Sequence, residues 1–303
     1  MNRILLLFLV VFVGQVCAQD SIIPLWPKNR IPNRIASEEV EEHKHNGILR
    51  ISTVQEPSIE VYLPSKSNAT GEAVLIFPGG GYGILAYDWE GTDIAKFLNG
   101  KGIAGIVVKY RLPSDISQKN KHEVPLIDAQ RAMRLVRSNA ARFHLDTKKI
   151  GILGFSAGGH LASTLGTQFG KKVYDPFDAI DNENARPDFM ALGYPVITFG
   201  DKTHRGSKMN LIGDKPTQEM VDRYSSEKNV TEHTPPTFLF HASDDTGVPV
   251  ENSLLFYSAL NEKGVSATLF VYPNGGHGFS LALKDPFLKG WSDQLVQWIS
   301  NLN

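Results

Sequence analysis

The 303 residues carry 31 lysines and arginines against 32 aspartates and glutamates, a formal net charge of −1. That length suits one large α/β domain with a full core, and the balanced charge gives no case for nucleic acid or an acidic surface as partner. A single cysteine, Cys17, and the absence of repeats or low-complexity tracts exclude a disulfide scaffold and a solenoid.

Met1, Asn2 and Arg3 precede an almost wholly apolar run, Ile4 to Val13, and then Gly14, Gln15, Val16, Cys17, Ala18 and Gln19. This is the order of a signal peptide, so residues 1–18 are expected to be cleaved between Ala18 and Gln19 and the mature chain exported, periplasmic or secreted. The run is too short to span a bilayer comfortably, and no stable membrane insertion of the mature chain is expected; an uncleaved anchor is the alternative. Cys17 would leave with the signal, so neither a disulfide nor a thiol nucleophile remains.

Residues 19–56 are polar, hold several prolines, and read as an irregular lead-in to a domain at 57–303. Ile59 to Leu63 alternates like an edge strand, and Ala73 to Phe77 is a buried strand closed by Pro78, Gly79, Gly80 and Gly81. Trp89 to Asn99 carries a helical apolar face, Ile103 to Tyr110 is another buried strand, and Pro125 to Phe143 is a long helix with proline in its first turn. Ile150 to Gly154 is a short strand followed by a helix from Gly159 onward. Phe189 to Gly193 is a strand, and 198–235 reads as an insertion over the top of the sheet. Strands at Thr237 to His241 and Ala267 to Tyr272 are each followed by a helix, Val250 to Lys263 and Leu288 to Leu302. The strands are continuous apolar runs that alternate with helices, which predicts a mostly parallel sheet covered by helices on both faces.

Gly154-Phe155-Ser156-Ala157-Gly158 lies between a strand and a helix, the context of a nucleophile elbow. A serine alcohol needs a base to take its proton, and the base needs a carboxylate to hold its tautomer. On the α/β-hydrolase fold the order is serine, acid, histidine, each after a strand. His277, in the loop Pro273 to Phe279, is the candidate base, and Asp244 or Asp245, after His241, the candidate acid. The register D-x-x-V-P, with Val248 and Pro249, selects Asp245 by analogy within the fold. His160, one helical turn beyond Ser156, reads as a packing residue. The tetrahedral intermediate needs N–H donors, which Ala157 and the glycine loop, Gly80 and Gly81, could supply. No metal is called for.

These stretches together, Phe77 to Tyr82, Glu90-Gly91, Tyr110 to Pro113, Asp128 to Ala132 and Gly154 to Ala162, resemble the α/β-hydrolase esterases of the acetylxylan esterase type. The resemblance runs from about residue 57 to the C-terminus. It implies removal of acetyl groups from an acetylated oligo- or polysaccharide with no metal or organic cofactor. The broader lipase pattern His-Gly-Gly-Gly has Pro78 in place of its histidine, so the loop needs another support. Tyr82, and with less reason Tyr87, Trp89 and Tyr110, could stack on a sugar; Asp128, Arg131 and Arg134 read as ion pairs tying helix to loop. A peptidase or amidase, a general short-chain carboxylesterase, a glycosidase with paired carboxylates, and a binding protein on a decayed hydrolase fold are the other readings.

Overall fold

A computed structural model describes residues 21–302; the expected signal peptide lies outside them. Eleven strands are described. β1 (Ser21–Pro24), β4 (Ser58–Tyr62), β5 (Ala73–Phe77), β7 (Ala104–Lys109), β8 (Ile150–Phe155), β9 (Met190–Gly193), β10 (Thr237–Ala242) and β11 (Ala267–Tyr272) form one sheet. β2 (Glu42–Asn46), β3 (Ile48–Ser52) and β6 (Leu85–Ala86) form a small second sheet.

The large sheet runs in the order β1-β4-β7-β5-β8-β9-β10-β11. The six strands from β7 to β11 are parallel, and β1 and β4 pair antiparallel at one side. β5, β8, β9 and β10 are buried along their whole length, which is why they are apolar without alternation. Helix α1 (Asp93–Gly100) links β5 to β7 on one side of β5, whereas α2 (Val124–Ser138) and the short α3 (Ala140–Phe143) carry the chain back past β5 to β8 on the other. The direction of winding therefore reverses between β5 and β8, where the loops after two neighbouring parallel strands leave a crevice. The glycine loop follows β5 and the Ser156 elbow follows β8.

Successive residues of β8 point to opposite faces. On one side a Cβ on Gly154 would sit 2.7 Å from Ala162 of α4 (Ser156–Gln168); on the other, the Phe155 ring meets Trp291 of α8 (Gly290–Ser300) at 6.0 Å. Lys101, just beyond α1, pairs with Asp293 of α8, so α1 and α8 share a face, while α2 packs on α4. The insertion at 198–235 holds α5 (Arg205–Ile212) and α6 (Gln218–Arg223), and α7 (Glu251–Glu262) links β10 to β11.

Four expectations change. The lead-in at 19–56 contributes β1, β2 and β3 rather than irregular chain alone. β4 is an interior strand, because β1 covers the side expected to be free. The long helix breaks at Asn139, and Trp89 lies in a π-helical turn, Asp88–Thr92, ahead of α1.

The charged face of α2 holds the N-terminal segment down. Asp128 is fully buried and accepts four hydrogen bonds: the Trp26 indole N–H at 2.9 Å, and the Arg111 backbone N–H, Nε–H and Nη2–H at 3.0, 2.9 and 2.8 Å. Arg131 donates to the Leu25 carbonyl and to Asp178 and Asp181, with its guanidinium 4.8 Å over the Trp26 ring. Arg134 donates to the Glu183 carbonyl and the Tyr174 hydroxyl. A buried pair that loses one partner leaves an uncompensated charge. Asp128→Ala is therefore expected to cost about 3–5 kcal/mol in urea unfolding; a loss under about 1 kcal/mol would mean that water reaches Arg111.

Candidate active site

Ser156 is the first residue of α4 and its φ is +51°, the left-handed region a non-glycine side chain avoids. The turn that forces this needs bare backbone around it. A Cβ on Gly158 would lie 2.1 Å from the Phe77 carbonyl oxygen and 2.5 Å from that of Pro78, so only glycine lets the first turn of α4 run against the root of the glycine loop. The Ser156 carbonyl is fixed in turn by the Val196 N–H at 3.0 Å.

Ser156 Oγ lies 2.8 Å from His277 Nε2, and His277 Nδ1 lies 2.7 Å from Asp245 Oδ2. Facing a carboxylate, Nδ1 carries the ring proton, which leaves Nε2 free to accept from the serine hydroxyl. The three sequence-chosen residues thus come together from the ends of β8, β10 and β11.

Asp245 Oδ1 accepts from the Gly247 and Val248 N–H groups, both at 2.8 Å, and Oδ2 also meets His241 Nε2 at 3.2 Å. Burial by itself would raise this carboxyl, but the hydrogen bonds from His241, His277 and Val248 outweigh it and hold Asp245 well below the usual carboxylate range. His241 is fully buried, and its Nε2 faces only acceptors, Asp245 and the Val248 carbonyl, so it bears the proton while Nδ1 takes the Ser253 hydroxyl at 2.8 Å. Asp244 is exposed and accepts from the Gly276 N–H at 2.8 Å, which anchors the loop that carries His277.

The glycine loop turns on itself through bonds from the Gly83 and Ile84 N–H groups to the Gly80 carbonyl. Gly80 and Gly81 have φ of +131° and +65°. Among the described residues, no protein acceptor takes the amides of Gly80, Gly81 or Ala157. Support comes from three directions: Tyr110 donates to the Pro78 carbonyl at 2.7 Å, the Gly79 N–H donates to Glu90 at 2.9 Å, and Asn210 of α5 donates to the Gly81 carbonyl at 2.8 Å.

Tyr82 does not face the cleft. It is 2% exposed, and its hydroxyl is hydrogen-bonded to His160 Nδ1 at 2.8 Å. Its φ of +60° turns the ring inward from the glycine loop. Tyr87 and Tyr110 are also buried, bonded to Glu60 and Pro78. Of the four aromatics only Trp89 is exposed, at 39%; its indole N–H donates to the Gly278 carbonyl, next to His277. Trp89 borders a cleft of about 420 Å³ with Phe279, Leu281 and Leu283. His160 is buried, donates to the Tyr224 carbonyl and stacks on Phe199; burial, partly offset by that bond, pushes it down to about 4.

Two residues near the site gave no usable sequence signal. His204 caps α5 by accepting the Ser207 N–H at Nδ1, which leaves the proton on Nε2, and its ring lies 3.7 Å from where a Gly81 side chain would begin. Burial and the neighbouring His277 lower its pKa. Glu90, quoted for resemblance alone, is 4% exposed within the π-helical turn. Among the described residues no group of three or more His, Cys, Asp or Glu side chains could hold a metal ion.

A mostly parallel eight-stranded sheet, wound to a switch point with helices on both faces, makes this protein an α/β hydrolase. It belongs to the BD-FAE family, whose model matches residues 59–260. The acetyl ester-xyloside bifunctional hydrolase of Caldicellulosiruptor lactoaceticus has a similar structure, with TM-score 0.80 and 37% identity over 95% of this chain and 98% of that one. The endo-1,4-beta-xylanase B of Butyrivibrio fibrisolvens is 38% identical over 78% of this chain and 36% of its own length. The acetylxylan esterase of Xylanibacter ruminicola is 34% identical over 84% of this chain and 49% of its own length. The chain thus spans between a third and a half of those two curated relatives.

Proposed function

We propose that the protein is a serine esterase that removes acetyl groups from acetylated xylan or xylo-oligosaccharides through an acetyl-enzyme. The observation that carries the reading is the unbroken chain of bonds from Ser156 Oγ through His277 to Asp245, beside the free amides of Gly80, Gly81 and Ala157. Ser156 Oγ attacks the acetyl carbonyl while His277 Nε2 takes its proton, and Asp245 holds the imidazolium. The amides receive the oxyanion, His277 returns the proton to the departing sugar hydroxyl, and water repeats the sequence to release acetate. No metal or organic cofactor is called for. In this reading residues 1–18 direct export, which suits a polymer substrate, and Trp89 is the aromatic available to a sugar ring.

Glycoside cleavage fits the site poorly. It needs two carboxylates flanking the sugar, about 5–10 Å apart. Asp245 and Glu90 are both buried, and their oxygens are taken up by protein donors.

The test is a panel of acetylated xylo-oligosaccharides, p-nitrophenyl acetate, an aminoacyl anilide and p-nitrophenyl xyloside, followed by acetate and chromophore release. Acetate from the sugars is the expected result, at least tenfold faster than anilide cleavage. Xyloside cleavage undiminished in Ser156→Ala would place a second chemistry elsewhere in the molecule.

A further inference from the structure

Glu90 is a buried carboxylate with no lysine or arginine partner among the described residues. Burying an anion that way is costly unless its hydrogen bonds are complete. Both oxygens are used: Oε2 accepts the Gly79 N–H at 2.9 Å, and Oε1 accepts the Tyr194 hydroxyl at 2.7 Å. Tyr194 Oη in turn accepts the Ser280 N–H at 3.0 Å, and the Tyr194 ring stands edge-on to His277 at 5.1 Å. Ser280 Oγ donates to the Trp89 carbonyl, and the Trp89 indole holds Gly278. One turn of chain, Asp88–Thr92, therefore grips both the glycine loop and the loop that carries His277.

The direction of these bonds fixes the charge. With Glu90 ionised, Gly79 and Tyr194 both donate to it and Tyr194 still accepts from Ser280, so every proton has an acceptor. With Glu90 protonated on Oε1, Tyr194 Oη would face two donors and its own proton would have no acceptor. Burial is the largest influence and holds the carboxyl above its ordinary value, although the bonds from Tyr194 and Gly79 pull the other way; it is the arrangement of donors that argues for the ionised form. The site is also too tight for slack. A Cβ on Gly79 would lie 2.6 Å from Glu90 Oε2, 2.7 Å from the Phe155 carbonyl oxygen and 2.9 Å from Ser156 Cβ, so Gly79 is a bare spacer between the carboxylate and the elbow.

We propose that ionised Glu90 is the positioning residue that aims the Gly80 and Gly81 amides at the developing oxyanion and, through Tyr194, keeps His277 in register with Ser156. It takes the place left by Pro78, where the lipase pattern has a histidine. The inference rests on the esterase reading above, because an oxyanion must form for aimed amides to matter. Glu90 touches no substrate; it acts by geometry, and a misplacement of about 1 Å can cost about 10² in rate.

The experiment uses the full chain with Glu90→Gln, Tyr194→Phe and Ser156→Ala. Steady-state kinetics with p-nitrophenyl acetate are paired with the rate of inactivation by a p-nitrophenyl phosphonate, whose phosphoryl oxygen needs the same amides. Glu90→Gln keeps the shape but turns a donor toward Tyr194. It is expected to lower kcat and the phosphonylation rate together by about 10–100-fold, with KM within about threefold. A purely structural role would lower thermal stability and leave kcat of the folded protein unchanged. A folded Glu90→Gln with kcat and phosphonylation within threefold of the parent overturns the proposal. If that variant does not fold, Tyr194→Phe decides: a parallel fall of threefold or more in both rates supports it, and parental rates overturn it. Ser156→Ala separates the two readings. Its inactivity beside a fully active Glu90→Gln removes only the positioning role, whereas an active Ser156→Ala removes the esterase assignment beneath it.

Discussion

Ser156→Ala is expected to lower kcat on an acetyl ester by about 10⁴–10⁶-fold, with little change in stability. The size follows from the geometry. Without Oγ, His277 Nε2 has no hydroxyl at 2.8 Å to activate, and no covalent intermediate can form. What remains is polarisation by the amides, which leaves a residue of catalysis over the background. Ser156 is 5% exposed and its side chain is small, so the elbow is expected to survive the loss, because alanine shares the strain at φ +51° without adding to it. A burst of p-nitrophenol from the parent and none from the variant is the readout. Activity retained within tenfold would remove Ser156 from the chemistry.

Asp245→Asn is expected to cost nearly as much, about 10⁴ in kcat. An asparagine can keep its carbonyl toward the Gly247 and Val248 N–H groups. Its amide then sits where Oδ2 was, aimed at the Nδ1 proton of His277 and the Nε2 proton of His241. Donor would face donor. His277 relieves this by moving its proton to Nε2, the atom that must accept from Ser156, and the base is lost. The same substitution carries a pH signature. Asp245 is held below its unfolded pKa, so the stability it contributes is complete above about pH 4 and is lost as pH falls through the folded value. The variant is expected to be less stable than the parent by about 2–4 kcal/mol at pH 7, with the gap narrowing at pH 3. Urea curves at the two pH values check this, and a gap that widens in acid would contradict it.

The parallel half of the fold was open to reading because a strand buried on both faces can be only apolar, and Ala73 to Phe77 and Ile150 to Gly154 are little else. The elbow and the acid loop were open for a related reason, since they follow the buried strands β8 and β10, while the histidine loop follows the half-buried edge strand β11 and is marked by its glycines instead. β2 was closed to reading. Its five residues, Glu42 to Asn46, are all exposed, so pairing with β3 leaves no apolar period behind. β1 is four residues long, ends in proline, and is defined only by a partner some forty positions away. Tyr82 is ambiguous in sequence because a tyrosine beside a glycine loop looks the same whether its ring turns toward the cleft or, as here, toward His160. Glu90 carries no pattern of its own; its meaning lies in Gly79 and Tyr194, which only the closed sheet brings to it.

The antiparallel pairing of β1 with β4, and the grip of α2 on Trp26 and Leu25, give the folded unit different edges from the stretch that the family model matches. The family match begins at residue 59 and ends at 260. A polypeptide trimmed to those limits would leave Ile59 and Val61 on a bare sheet margin, a row of unpaired N–H and C=O groups that invites strands of other molecules. It would keep Asp245 and lose His277. The limits of the family match and the limits of the folded sheet are thus drawn along different lines here, and the poorly patterned N-terminal segment is what covers the outer side of β4.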